Sequence, residues 1–198
     1  MIVILDTNTI IQNPKLDSDI HKVLYRYLSK TDSYLLMPEV VHQELPVVYK
    51  KRLSEIFSKV KTDVAKLNAF LTDNNDLCIE YDVNTEATKF ISLVESIYAG
   101  FNKNYIASLK PGMLEESIRR AINKIRPCSE NKEEFRDTLI WLTVISVAEE
   151  QDERNVVFIT NNTTDFCDSD GNLHEQLKND LQEKNINVYF YKTLNDFY

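Results

Sequence analysis

The stretch Met1-Ile2-Val3-Ile4-Leu5-Asp6-Thr7-Asn8 sets the reading of the whole chain. Four consecutive apolar residues, rich in β-branched types, have the composition of a strand buried on both faces. The run ends in a carboxylate, and a polar turn follows at once. An aspartate at the carboxyl end of such a strand stands where open α/β sheets place their ligands, in the crevice beyond the strand ends. It must be hydrated, paired or bound to a cation, because an unpaired buried charge is too costly. Its simpler role is to cap the next helix, which Asp does well.

The 198 residues suffice for one sizeable domain, and 43% hydrophobic content supplies a core. No apolar run approaches the roughly 20 residues of a membrane span, so no membrane association is expected. The amino terminus reads as a strand without a basic leader, unlike a signal peptide. Cys78, Cys128 and Cys167 are odd in number and far apart. That argues against a disulfide framework or a thiolate zinc site and suits a reducing cytoplasm. His21, His42 and His174 show no ligand spacing. The net charge of −8 does not suit a protein that coats nucleic acid. The charge is uneven: residues 101–136 carry eight Lys or Arg against five acids, and residues 138–198 carry four against eleven.

Outward from the first strand, apolar periodicity predicts a helix over Asp17–Leu28 and a strand over Ser33–Met37 stopped by Pro38. A helix opens at Pro38-Glu39, is interrupted near Pro46 and resumes to about Leu71. Asp73-Asn74-Asn75-Asp76 reads as a turn, and Leu77–Tyr81 as a strand or extended edge. Further helices are expected over Asn84–Ala99, Met113–Ile125, Lys132–Glu149 and Leu173–Lys184, with strands at Asn155–Thr160 and Asn187–Tyr191. Strands alternating with helices predict a three-layer α/β/α domain around a parallel sheet. Residues 1–198 form one domain in this reading, with a helical insertion at about 84–130.

Several elements place an acid or amide where it can face one crevice: Asp6, Glu44 two turns after Pro38, Asp137 early in its helix, and Asn161, Asn162 and Asp165 after the strand ending at Thr160. Converging carboxylates repel and need a cation. Oxygen ligands without Cys or His suit Mg²⁺ or Mn²⁺, and such sites serve phosphoryl chemistry. Taken singly, Glu44 also reads as a solvated helix charge and Asp137 as half of an ion pair. Glu39 reads as a helix-dipole partner, Asp168 and Asp170 as a turn, and Trp141 as core.

Four pieces, in this order, resemble a PIN-domain nuclease: Ile4-Leu5-Asp6-Thr7-Asn8, Pro38-x-Val40-Val41-x-x-Glu44-Leu45, Phe135-Arg136-Asp137-Thr138-Leu139-Ile140-Trp141, and Thr160-Asn161-Asn162-Thr163-Thr164-Asp165-Phe166. The Phe-Arg-Asp-x-x-Ile-Trp helix resembles a particular PIN-like branch. The resemblance implies a metal-dependent endoribonuclease that prefers single strands, with Asp6, Glu44 and Asp137 as core acids. It implies a fourth position at Asn162 or Asp165; Asn162 fits the spacing and Asp165 supplies the charge. Thr7, Asn8, Thr160 and Asn161 would shape and support the site. An aspartyl-nucleophile phosphohydrolase also begins with a strand-end Asp, but it needs a second Asp two residues on, where Asn8 stands. A metal-free PIN scaffold that binds RNA or a protein, and a toxin restrained by an inhibitor protein, share the sequence pattern; a homodimer is compatible with it. For substrate phosphates the expected contacts are Arg119, Arg120, Lys124, Arg126, Lys132 and Arg136, with Arg120 and Lys124 sharing a helix face.

Overall fold

The computed structural model describes residues 1–72, 77–129, 134–150 and 155–197. Strand β1 (Ile2–Leu5) lies at the centre of the sheet, and every residue in it is buried. It pairs in parallel with β2 (Tyr34–Pro38) on one side and β4 (Val156–Ile159) on the other, so that Ile4 faces Leu36 and Phe158. Beyond β2 lies the short β3 (Ile106–Ala107), and beyond β4 lies β5 (Val188–Tyr191). The order is β3-β2-β1-β4-β5, with all strands parallel. The sequence explains the placement. The fully buried β1 and β4 are uninterrupted apolar runs, whereas β2 and β5 are buried only in part.

Eight helices are described: α1 (Thr7–Gln12), α2 (Asp19–Lys30), α3 (Glu39–Asn68), α4 (Val83–Phe101), α5 (Met113–Asn123), α6 (Phe135–Glu150), α7 (Thr163–Phe166) and α8 (Glu175–Glu183). With the five-stranded sheet they make a three-layer α/β/α arrangement. The chain builds outward from β1 through β2 to β3, then returns to start β4 on the other side of β1. The reversal opens a crevice between the carboxyl ends of β1 and β4. No described helix is long and apolar enough to cross a membrane. Trp141 is fully buried and packs beside Phe158 and Phe166, as core rather than as a surface platform.

The fold departs from the sequence expectations in four places. The polar turn expected after Asp6 is the helix α1, which Asp6 caps and whose Thr9, Ile10 and Ile11 are buried. Helix α3 runs unbroken through Pro46. The proline forgoes one helical bond, but the burial of Val41 and Leu45 and the stacking of Tyr49 on Phe90 hold the helix on its neighbours. Leu77–Tyr81 forms no strand; its start is hydrogen-bonded to the Asn68 side chain, and Tyr81 packs against Phe57. Within 84–130 the chain is not purely helical, because Ile106–Ala107 adds an edge strand. Two residues carry no readable alternation. That strand is set by tertiary bonds, from Met37 N–H to the Tyr105 carbonyl at 2.8 Å and from Leu109 N–H to Glu39 Oε2 at 3.1 Å. The turn expected at 73–76 and the helix start expected at Lys132 lie outside the described residues; α6 is described from Phe135.

Candidate active site

Asp6 leaves β1 and caps α1, with Oδ1 accepting the Thr7 N–H at 2.6 Å. Its other oxygen accepts the Thr160 hydroxyl from the end of β4 at 2.7 Å. The carboxylate thus caps a helix and bridges β1 to the end of β4 at once, and it is 2% exposed. The Thr160 hydroxyl also accepts the Asn162 N–H at 3.0 Å, fixing the turn into α7.

Glu44 reaches the same crevice from the second turn of α3. Its Oε2 accepts the Thr7 hydroxyl at 2.7 Å, and its Oε1 pairs with the Arg136 guanidinium. Asp137 projects from the first turn of α6, where a negative charge suits the helix dipole. Its Oδ2 accepts the Asn162 side-chain amide at 3.3 Å. Carboxylate oxygens of Asp137, Asp165 and Glu134 all lie within 4.8 Å of one another. Both residues left open for the fourth position are thus brought to Asp137, with different parts. Asp165 joins the carboxylate group, and Asn162 donates to it. Asn161 uses its carbonyl to accept the Thr163 N–H, and Asn8 sits exposed in the first turn of α1.

Glu134 is not among the residues that the sequence singles out. Its signal is the three-residue spacing to Asp137, which puts both on one face. The Thr138 hydroxyl donates to the Glu134 carbonyl at 2.8 Å and holds the turn that presents it.

The electrostatics follow from this crowding. Burial raises the Asp6 carboxyl to about 6, offset by its bonds from Thr160 and Thr7. Burial first, then the charges of Asp6, Asp165, Glu134 and Glu44, push Asp137 up to about 8. Acids held this far above the ordinary carboxylate range are short of positive charge. An oxygen-only, anionic set fits a hard divalent cation, and Asp137, Asp165 and Glu134 could hold one with Asp6 and Glu44 beside them.

A strand-end aspartate at the switch point, a helix-borne glutamate and two acids from the following segments now stand around one crevice, and the PIN domain family model matches residues 3–166. The chain belongs to the PIN domain family. That family is one of nucleases, typically metal-dependent, and the matched span of this PIN domain contains Asp6, Glu44, Asp137 and Asp165. No individual curated protein and no solved structure matches the chain.

The cations expected to hold substrate divide sharply in this PIN domain. Arg120 is 4% exposed and is bound on every side: to Glu116 at 2.8 Å, to Asp180 at 2.6 Å and to the Arg126 carbonyl at 2.7 Å. Such a group is structural and is not available to a phosphate. Nor do Arg120 and Lys124 share a helix face, since α5 ends at Asn123 and Lys124 turns into the left-handed region at φ 54°. Arg119 is exposed and forks onto Glu116. Arg126 donates to the Thr164 carbonyl, next to Asp165, at 2.7 Å. Arg136 is mostly exposed at the Glu44 side of the crevice. Lys132 lies outside the described residues.

Proposed function

We propose that the protein is an endoribonuclease that hydrolyses phosphodiester bonds of single-stranded RNA with Mg²⁺ or Mn²⁺. The observation that supports it best is the Asp137 carboxyl, buried among Asp165 and Glu134 and flanked by Asp6 and Glu44. Asp137, Asp165 and Glu134 would hold the cation, with Asp6 and Glu44 adding negative charge beside them. When bound, such a cation lowers the pKa of a coordinated water and neutralises charge on the phosphate.

The chain's own residues orient the rest. Thr7 aims two acids at once, through its N–H to Asp6 and its hydroxyl to Glu44. Thr160 fixes the second oxygen of Asp6 from the opposite strand. Preset carboxylates of this kind need little rearrangement when charge develops on the phosphate. Arg136, paired with Glu44 at the crevice and mostly exposed, would supply positive charge to an approaching phosphodiester, and Arg126 is held next to Asp165 through the Thr164 carbonyl.

The test is incubation of end-labelled single-stranded RNA, and of DNA of the same sequence, with Mn²⁺, with Mg²⁺ and with EDTA. Internal cleavage of RNA is expected with either metal and not with EDTA. Asp137→Asn is expected to slow it by about a hundredfold, the size typical of losing a group that holds or orients a metal. Cleavage that survives EDTA, or an Asp137→Asn enzyme as fast as wild type, would overturn the reading.

A further inference from the structure

A cleft of about 290 Å³ lies between the end of α1 and the middle of α3, lined by Ile11, Gln12, Pro14, Tyr49, Arg52, Leu53 and Ile56. It belongs to the same helix as Glu44. Arg52 is eight residues on from Glu44, about 12 Å along the helix axis.

Three features define what suits it. The walls are apolar and aromatic, and the Tyr49 ring is fixed by stacking on Phe90, with centroids 4.2 Å apart. The volume is at the small end for ligand clefts, enough for one planar ring system rather than a longer segment. Besides the Tyr49 phenol, the lining carries a carboxamide, Gln12, and a guanidinium, Arg52, which approaches the Ile11 carbonyl at 3.5 Å. A planar guanidinium beside an aromatic wall stacks on a flat π-system, and a carboxamide pairs with the donor and acceptor edge of a base.

This stretch of α3 is itself positively charged in a protein of net charge −8, with Asp82 and Glu86 at the start of α4 set against Lys50 and Tyr49 on its other side. Residues 47–62 carry five Lys or Arg against the single acid Glu55. Lys50, Lys51 and Arg52 are all exposed. An exposed cationic helix beside a small aromatic cleft is the arrangement that single-stranded nucleic acids use, with phosphates on the cations and a base in the cleft.

We propose that this cleft takes one unstacked nucleobase of the substrate strand, whose phosphates pass Lys51, seven residues on from Glu44 and on the same helix face, toward Glu44. The proposal rests on the reading that single-stranded RNA is the substrate, and it adds where the strand is gripped.

The experiment measures binding by fluorescence anisotropy in EDTA, with a labelled single-stranded RNA and a matching oligomer in which the bases are replaced by abasic positions. Arg52→Lys with Ile56→Ser, which keeps the charge and removes the planar stacking group, is expected to weaken binding of the base-bearing strand about tenfold and to leave the abasic strand unchanged. Lys51→Gln is expected to weaken both and to lower the salt slope by roughly 0.7. Ile56 is 52% exposed and Arg52 is on the surface, so these variants keep the fold, and unchanged melting temperatures check this. The proposal is overturned if the cleft variant binds RNA as wild type does, if the abasic strand binds wild type as tightly as RNA, or if wild type binds neither. The same preparations are then assayed with Mn²⁺. Cleavage by wild type with no loss of binding in the cleft variant retires the cleft and leaves the nuclease reading. The expected binding pattern without cleavage does the reverse.

Discussion

The Thr160 hydroxyl donates to Asp6 Oδ2 at 2.7 Å across 154 residues of sequence. This bond closes the seam between β1 and β4 at the point where the chain reverses its direction of building. It also gives Asp6 one of the few contacts that favour its charged form. Fold and chemistry meet in that pair.

Removing the Thr160 hydroxyl tests both. Thr160→Val keeps the shape and leaves a buried carboxylate oxygen without its donor, which is expected to lower stability by about 1–3 kcal/mol in urea melts. It is also expected to raise the pH at which Mn²⁺ begins to bind, because the Asp6 carboxyl climbs further. A variant as stable as wild type, with the same pH midpoint, would show that the bond contributes nothing.

The pH dependence of the metal-free protein follows from Asp137 and Asp6. Both carboxyls sit above their usual value of 3.8, at about 8 and about 6. A raised acid keeps its proton more firmly in the folded state, so its contribution is full below about pH 4 and is lost as pH rises through the folded value. In EDTA the melting temperature should therefore fall between about pH 4 and about pH 8. Asp137→Asn should flatten most of that slope and melt higher than wild type at pH 8. Parallel curves for the two proteins would contradict this.

Metal should reverse the effect. Mn²⁺ at about 100 times its Kd is expected to add about 2.7 kcal/mol, a rise of about 5–10 °C for a chain of this size. The shift should be larger at pH 8 than at pH 6, since protons on Asp137 and Asp6 compete with the ion. Glu134→Gln should shrink it. If that variant shifts as far as wild type, Glu134 is a bystander.

Arg120 should behave as a structural residue. Asp180 accepts from the Arg120 guanidinium and from the indole of Trp141, the single tryptophan, at 2.6 and 2.7 Å. Arg120→Ala strands that carboxylate and should cost about 3–5 kcal/mol. Replacing both Arg120 and Asp180 by apolar residues should cost much less than Arg120→Ala alone. Tryptophan fluorescence follows the unfolding. A small loss in Arg120→Ala, with a reduced salt slope for RNA, would instead restore Arg120 to the substrate path.

Much of this protein is determined by the sequence alone. The uninterrupted apolar runs of β1 and β4 specify buried central strands, and the acids that follow strands or open helices locate the crevice, because strand ends and helix starts point the same way in a parallel sheet. Asp6, Glu44, Asp137 and Asp165 were legible for that reason. Local pattern does not reach what depends on partners distant in sequence. The strand at Ile106–Ala107 exists because Met37 and Glu39 bind its neighbours. Helix α3 survives Pro46 because its apolar face is buried. Glu134 looks like a surface charge until Asp165, 31 positions along, is brought beside it. Arg120 and Arg136 are both arginines in one basic stretch, yet burial against Asp180 removes the first from solvent and exposure beside Glu44 keeps the second at the crevice. A charge is counted in the sequence, but its partner and its distance from water, which decide what it does, exist only once the chain has folded.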